Sequence, residues 1–265
     1  MVVCERQVQT VVGFTHPAVT AAVHYGQNSF KSELEYDERE IAVTDARSLA
    51  ARPSLDDYGF MLTGHETAVS DFTDPAQIET IYRQEMCDLV QGITGAEKVI
   101  VFHTQLRDNS PSAHTDIRRP AAVPHIDYNE DTFRLRAREE MGEEAEQWLC
   151  RRFAAYNVWR GVRPVREMPL AVADARTVRE DDFRKTIIHE KPGEPTPYVG
   201  MPLTFNPDQR WYFFPDMQPN EALLFKQCDS DHDRIQWTPH VAIDVPSKAD
   251  PTPRVSFEVR TLAFF

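Results

Sequence analysis

Only four cysteines occur in the 265 residues: Cys4, Cys87, Cys150 and Cys228, far apart in the chain. Without a CxxC pair, neither a zinc knuckle nor a disulfide framework is supported, and a reducing, cytoplasmic setting is expected. Long apolar runs are also missing. No stretch approaches the length of a membrane-spanning helix, so no membrane partner is expected. The opening MVVCERQVQTVVGF has no basic segment ahead of a sustained apolar stretch, so no secretory leader is expected. Positive charge is scarce: 29 Lys and Arg stand against 42 Asp and Glu, for a net charge of −13. A duplex-binding protein ordinarily shows a basic face, which argues against nucleic acid, and an anionic membrane surface is disfavoured for the same reason. No GxGxxG lies between a strand and a helix, and no Walker loop is present, which removes the two commonest nucleotide-binding arrangements. Internal repeats and low-complexity linkers are absent too.

What is present suits a folded, β-rich chain. Hydrophobic residues make up 41% of it and aromatics 10%, enough to bury a sizeable core. About 150 residues per domain would divide the chain into nearly two, but a β barrel of this length is commonly one. The 19 prolines are commonest after residue 160, where they punctuate short extended segments. One clear helix is predicted after Asp74, which caps it, with Pro75 in its first turn. Ile78, Ile81, Tyr82, Met86, Leu89, Val90 and Ile93 recur at helical spacing, and Gly95 ends the helix. Lys98 to Leu106 (KVIVFHTQL) reads as a strand, and a charged helix is expected over Asp131 to Ala154 with a break at Gly142. Eight short strands follow, at 156–162, 170–174, 186–190, 198–205, 210–214, 222–228, 240–245 and 255–264. Such a series points to a jelly roll or barrel.

Metal chemistry has to be sought among the nine histidines. Two HxD triplets occur, His114-Thr-Asp116 and His125-Ile-Asp127. On a strand, positions i and i+2 face the same way, so one His and one carboxylate reach one metal from adjacent rungs. A second His from far along the chain would complete the facial triad of non-haem Fe(II) oxygenases. His240 opens the extended run His-Val-Ala-Ile-Asp-Val. Fourteen residues later comes Arg254-Val-Ser256, where alternation sets Arg254 and Ser256 opposite Val255, Phe257 and Val259. Arg offers a planar fork for a carboxylate and Ser a hydroxyl on the same face. An inward Arg without an anion would be costly, and a dicarboxylate co-substrate would supply that anion.

With these residues in view, the sequence resembles the Fe(II)/2-oxoglutarate dioxygenases, whose pattern is HxD, a distant His, and RxS about a dozen residues on. It is most similar to the hydroxylase/desaturase branch that includes the cephamycin methoxylation component and gibberellin-desaturase-like proteins. The segments that carry the resemblance are VFHTQLR (101–107), HIDY (125–128), NVWR (157–160), PLAVADAR (169–176), EALLFKQCDS (221–230), TPH (238–240) and RVSFEVR (254–260). They span the chain from about residue 55 to its end. Gly161-Val-Arg163-Pro164 departs from the family's usual WRP. The resemblance selects HIDY over HTDI, and it selects His240 over His232, which sits in a polar run, Asp229-Ser-Asp-His-Asp233.

It implies a mainly β, double-stranded β-helix (jelly roll) as a single domain over residues 1–265, with helical and loop elements of 1–96 packed on the barrel. It implies Fe(II) held by His125, Asp127 and His240, and 2-oxoglutarate as co-substrate with its far carboxylate on Arg254 and Ser256. With O2, oxidative decarboxylation to succinate and CO2 would drive attack on an unactivated C–H bond of a small molecule in secondary metabolism, giving hydroxylation, desaturation or ring formation. Two alternatives stand beside this reading: a catalytically degenerate jelly-roll binding protein or partner subunit, and an Fe(II) oxygenase that uses no 2-oxoglutarate.

Other polar residues have weaker warrants. Asn157 shares a face with Trp159 and would donate to 2-oxoglutarate beside the metal, or close a backbone hydrogen bond. Arg160, on the opposite face, would meet an anionic substrate or a surface acid. Arg107 and His103 would line the barrel mouth, and Arg107 is the second candidate for a substrate carboxylate. Tyr128 would flank the substrate or simply pack. Arg260 lies about 20 Å beyond Arg254 on an extended strand, so it is expected to pair with Glu258 or another surface acid.

Overall fold

A computed structural model describes residues 5–19, 22–25, 35–114, 117–189, 198–245 and 252–265. Its strands are β1 (Gln7–Thr15), β2 (Ala22–Tyr25), β3 (Tyr36–Asp45), β4 (Phe60–Gly64), β5 (Lys98–Asp108), β6 (His125–Ile126) and β7 (Phe153–Gly161). They continue as β8 (Leu170–Ala173), β9 (Thr186–His189), β10 (Tyr198–Pro202), β11 (Trp211–Phe213), β12 (Glu221–Asp229), β13 (His240–Ala242) and β14 (Val255–Phe264). Two sheets form, ordered β1-β3-β11-β8-β13-β6-β10-β9-β2 and β4-β12-β7-β14-β5. This is the jelly roll expected from the strand series.

The smaller sheet shows how sequence sets the layers. β7 and β14 pair antiparallel, Asn157 opposite Arg260 and Val158 opposite Val259. Val158, Tyr156, Phe257 and Val259 turn outward onto Tyr82, Met86 and Val90 of the covering helix. Every residue of β7 is buried, as befits a strand covered on both faces. That helix runs as α1 (Pro75–Gln77), a π-helical turn Ile78–Tyr82, and α2 (Arg83–Thr94). Its ends are those expected: Asp74 Oδ1 accepts the Ala76 N–H at 2.9 Å, and Gly95 closes it at φ +71°.

One expectation is corrected. Helix α3 (Glu130–Met141) is followed by a 3-10 turn and α4 (Ala145–Leu149), so helix stops before Ala154. Phe153 and Ala154 instead pair with Phe264 and Ala263, since a central strand position buries them fully. Within residues 1–96, β1 and β3 extend the large sheet and β4 the small one. Alternation in β1 explains this, because Thr10, Val12 and Phe14 are buried while Gln9 and Val11 are exposed. The run that departs from WRP is a tight turn. A Cβ on Gly161 would lie 2.5 Å from the Arg163 carbonyl oxygen, so only glycine fits.

Two irregularities aim side chains inward. On β5 the pairing steps from His103 opposite Arg260 to Val101 opposite Thr261, leaving Phe102 as an extra residue. Val101 therefore joins the outer core with Leu106, while Phe102 joins an inner one with Tyr128. On β12 the pairing steps from Lys226 opposite Tyr156 to Cys228 opposite Ala155, which leaves Gln227 as the extra residue. Among the described residues no helix is long and apolar enough to cross a membrane.

Candidate metal centre

His125 lies directly opposite His240 where β6 and β13 pair. The two rings stand 4.4 Å apart between centroids, and His240 also packs on Phe225 at 4.8 Å. Asp127, two residues past His125, brings its Oδ1 to 3.8 Å from His125 Nε2. One ligand atom from each of His125, Asp127 and His240 falls within 4.8 Å of the others, and Asp127 and His240 are buried. Ile126, between the two ligands, turns the other way into the core with Val12 and Phe14.

Neighbours hold each ligand. His125 Nδ1 meets the Val123 carbonyl oxygen at 2.7 Å, which fixes that nitrogen as the donor and leaves Nε2 to bind metal. Among the described residues, His240 Nδ1 is buried without a hydrogen-bond partner. Burial lowers both ring pKa values; Asp127 partly opposes this for His125, and the adjacent His125 adds to it for His240. Both rings are thus neutral at pH 7 and keep a lone pair for a cation. Burial alone would raise the Asp127 pKa. Arg260, His125 and the Asn157 amide outweigh it and hold the carboxyl below its usual range. Two neutral imidazoles and one carboxylate suit Fe(II).

The second half of the site is a buried guanidinium. Arg254 is 2% exposed and Ser256 1%. Arg254 Nη1 donates to the Met168 carbonyl oxygen, and its fork lies over the Trp159 ring at 5.4 Å. Among the described residues, Arg254 Nε and Ser256 Oγ are both buried without partners. Burial, with Arg107 nearby, pulls the Arg254 pKa down to about 9. Met168, which offers the carbonyl, sits at φ +43°, a backbone region that non-glycine residues seldom occupy. Ser256 is opposite Arg107 on β5. Arg107 Nη1 donates to the Arg119 carbonyl oxygen at 2.8 Å, and Arg107 feels Glu258, Arg260 and Asp127. It therefore points into the barrel beside the metal ligands.

Several expected residues fall elsewhere or act differently. Arg160 is buried on the outer face of β7, with Nη1 on the Pro219 carbonyl oxygen at 3.3 Å, Nη2 on His65 Nδ1, and its fork over the Tyr82 ring. The strand's alternation puts it across the sheet from Asn157, so it does not reach a substrate at the metal. Tyr128 packs against Phe102, Phe133 and Tyr198, and its hydroxyl takes a hydrogen bond from Arg260. Asn157 Nδ2 donates to Asp127 Oδ2 at 2.6 Å. Arg260 is the largest correction. It does pair with Glu258, at 3.0 Å, but both are buried, and its Nη2 lies 2.6 Å from Asp127 Oδ1. Parity along RVSFEVR puts Glu258 and Arg260 on the same inward face as Arg254. His232 is exposed and meets Glu130, as a residue in a solvated turn would. His114 is exposed, and Asp116 lies outside the described residues.

Gln227 was not singled out from the sequence. Its Oε1 accepts the Asp127 N–H at 2.9 Å and its Nε2 donates to the Thr238 carbonyl oxygen at 3.3 Å. The signal was a Gln beside Lys226, both fully buried, directly after the apolar run Ala222–Phe225, but the bulge that aims it depends on pairing with β7.

A jelly roll with two histidines and a carboxylate inside it, next to a buried arginine whose Nε has no partner among the described residues, defines a non-haem iron oxygenase site. Residues 13–264 match the family described as an oxidoreductase/YMDC permease-like domain. The hydroxylase/desaturase CTB9 of Cercospora beticola is 30% identical over 253 residues, covering 87% of this chain and 78% of that protein. The Fe(II)/2-oxoglutarate-dependent dioxygenase nvfI of Aspergillus novofumigatus is 31% identical over 245 residues, covering 88% and 86%. The solved structure of the iron and alpha-ketoglutarate-dependent endoperoxidase NvfI matches with a TM-score of 0.87 at 26% identity, over 98% of both chains. The chain belongs to this family of Fe(II)/2-oxoglutarate-dependent dioxygenases, and its co-reactants are Fe(II), 2-oxoglutarate and O2.

Proposed function

We propose that this oxygenase binds Fe(II) through His125, Asp127 and His240, anchors the far carboxylate of 2-oxoglutarate on Arg254 and Ser256, and oxidises a C–H bond of a small secondary metabolite. The observation that carries the anchor is the pair of buried donors without acceptors, Arg254 Nε and Ser256 Oγ, on one face of β14. A dicarboxylate reaching between them and the metal ligands would satisfy both. Trp159 covers one face of the fork and shields it from water, and the Met168 carbonyl holds one arm while leaving the other edge for the anion. Asn157 acts on Asp127 and not on 2-oxoglutarate, holding the carboxylate still. The iron, when bound, supplies the oxidising chemistry; the chain contributes neutral ligands, orientation and exclusion of water.

The substrate reading rests on Arg107. Its guanidinium is held by a backbone carbonyl and has no carboxylate within ion-pair distance among the described residues. It would hold a substrate carboxylate, placing the target C–H bond near the metal.

The deciding experiment is an anaerobic titration of 2-oxoglutarate into Fe(II)-loaded protein, with Arg254→Ala alongside. Charge-assisted hydrogen bonds are worth about 1.5–3 kcal/mol each, so losing the fork should weaken binding about ten-fold or more. Metal affinity should not change. Unaltered 2-oxoglutarate binding in Arg254→Ala would place the anchor elsewhere.

A further inference from the structure

We infer that Arg260, steadied by Glu258 and Tyr128, is a positioning residue that sets the direction and donor strength of Asp127 as a metal ligand. This inference rests on the metal reading above. Its basis is the full set of contacts on one carboxylate. Asp127 Oδ2 accepts from Asn157 at 2.6 Å, and Oδ1 meets Arg260 Nη2 at 2.6 Å. Oδ1 is also the oxygen 3.8 Å from His125 Nε2. With a donor on each oxygen, the carboxylate is held in one orientation. Each oxygen keeps a further lone pair, and Oδ1 is the oxygen nearer His125 Nε2.

The other arms of Arg260 are fixed as well. Nε lies 3.0 Å from Glu258 Oε1, and Nη1 donates to Tyr128 Oη at 3.0 Å. Asp127, Tyr128, Glu258 and Arg260 are all buried, and His103 stands opposite Arg260 in the pairing. Burying such charges is unfavourable unless each is matched. Here Glu258 matters in a specific way. A lone guanidinium on Asp127 would neutralise the ligand and compete with the metal for it. Sharing the charge of Arg260 with Glu258 leaves Asp127 its anionic character while keeping the orienting hydrogen bond. The outer partners of metal ligands commonly carry 10–100-fold in affinity, and a guanidinium holds its three acceptors in one rigid plane, where an ammonium presents rotatable donors from a single point.

The test is a titration of the whole protein with Co(II) alone, read by the visible absorption of the bound ion, with thermal melts in parallel. Arg260→Gln should weaken Co(II) about ten-fold or more and change the shape of the band. Arg260→Lys should recover only part of the affinity. Glu258→Gln should also weaken Co(II), because Arg260 then draws on Asp127 alone. Arg260→Gln binding Co(II) within about two-fold of wild type, or more tightly, with only a lowered melting temperature, would overturn the inference and leave Arg260 a structural residue. If Arg260→Gln does not fold, Glu258→Gln and Tyr128→Phe decide it: weaker Co(II) binding in both supports the inference, and wild-type binding in either overturns it. Co(II) binding that survives His125→Ala and His240→Ala would be a different failure, that of the metal reading itself.

Discussion

The side-chain oxygen of Gln227 accepts the backbone N–H of Asp127 at 2.9 Å, while its amide reaches the carbonyl oxygen of Thr238 at 3.3 Å. One side chain thus ties together the two segments that carry the metal ligands, which lie more than a hundred residues apart. Gln227→Leu keeps the volume but leaves the buried N–H of Asp127 without its partner, a loss of about 1–3 kcal/mol. Chemical denaturation should show destabilisation in that range. Metal titration should also show weaker Fe(II) binding, since Asp127 loses its backbone tether. Wild-type metal affinity in a destabilised Gln227→Leu protein would reduce this residue to packing.

The choice between the HxD triplets has a direct spectroscopic readout. Anaerobic Fe(II) with 2-oxoglutarate should give the weak visible band of a chelated keto acid. His125→Ala and His240→Ala should abolish it, and His114→Ala should leave it, because His114 is exposed and lies in no strand. Loss of the band in His114→Ala with retention in His125→Ala would invert the assignment.

Arg107 and Arg160 should now behave differently from each other. In a panel of matched acids and amides, Arg107→Gln should lose substrate-dependent succinate release on the acids and keep it on the amides. Arg160→Gln should lower stability, since a buried guanidinium between His65 and Tyr82 is removed, without changing the preference for acids. Wild-type turnover of every acid by Arg107→Gln would mean that the pocket reads its substrate by shape.

His103 predicts a pH dependence of folding. Burial, with Arg260 adding to it, lowers its pKa from 6.5 to about 3. Between those values the unfolded chain binds a proton that the folded protein excludes. Stability is therefore complete above about pH 6.5 and falls as the solution is acidified toward pH 3. At 1.36 kcal/mol per pH unit, a drop from pH 6.5 to 5 removes about 2 kcal/mol from this group alone. Denaturant titrations at the two pH values should show it, and His103→Phe should flatten the slope by about that amount. An equal slope in the variant would assign the acid sensitivity to other groups.

The sequence by itself determined the strand series, the capped helix after Asp74, and the inward pair Arg254 and Ser256. Each of these depends on local rules: period-two alternation, capping chemistry and the φ of a terminal glycine. For the metal site the local rules went only part of the way: HxD on one strand is a local geometry, but the preference for His125 over His114, and for His240 over His232, came with the family resemblance. Tertiary structure decided what those rules cannot reach. Whether Arg160 faces substrate or helix follows from which side of β7 the barrel closes on. That Arg260 meets Asp127 follows from the register of β14 on β7, which sets Arg260 opposite Asn157. Gln227 reaches the Asp127 backbone only because β12 carries an extra residue against β7. Spacing along a chain fixes which side chains share a face. Only closure of the two sheets fixes which faces meet, and a buried charge takes its role from what it meets there.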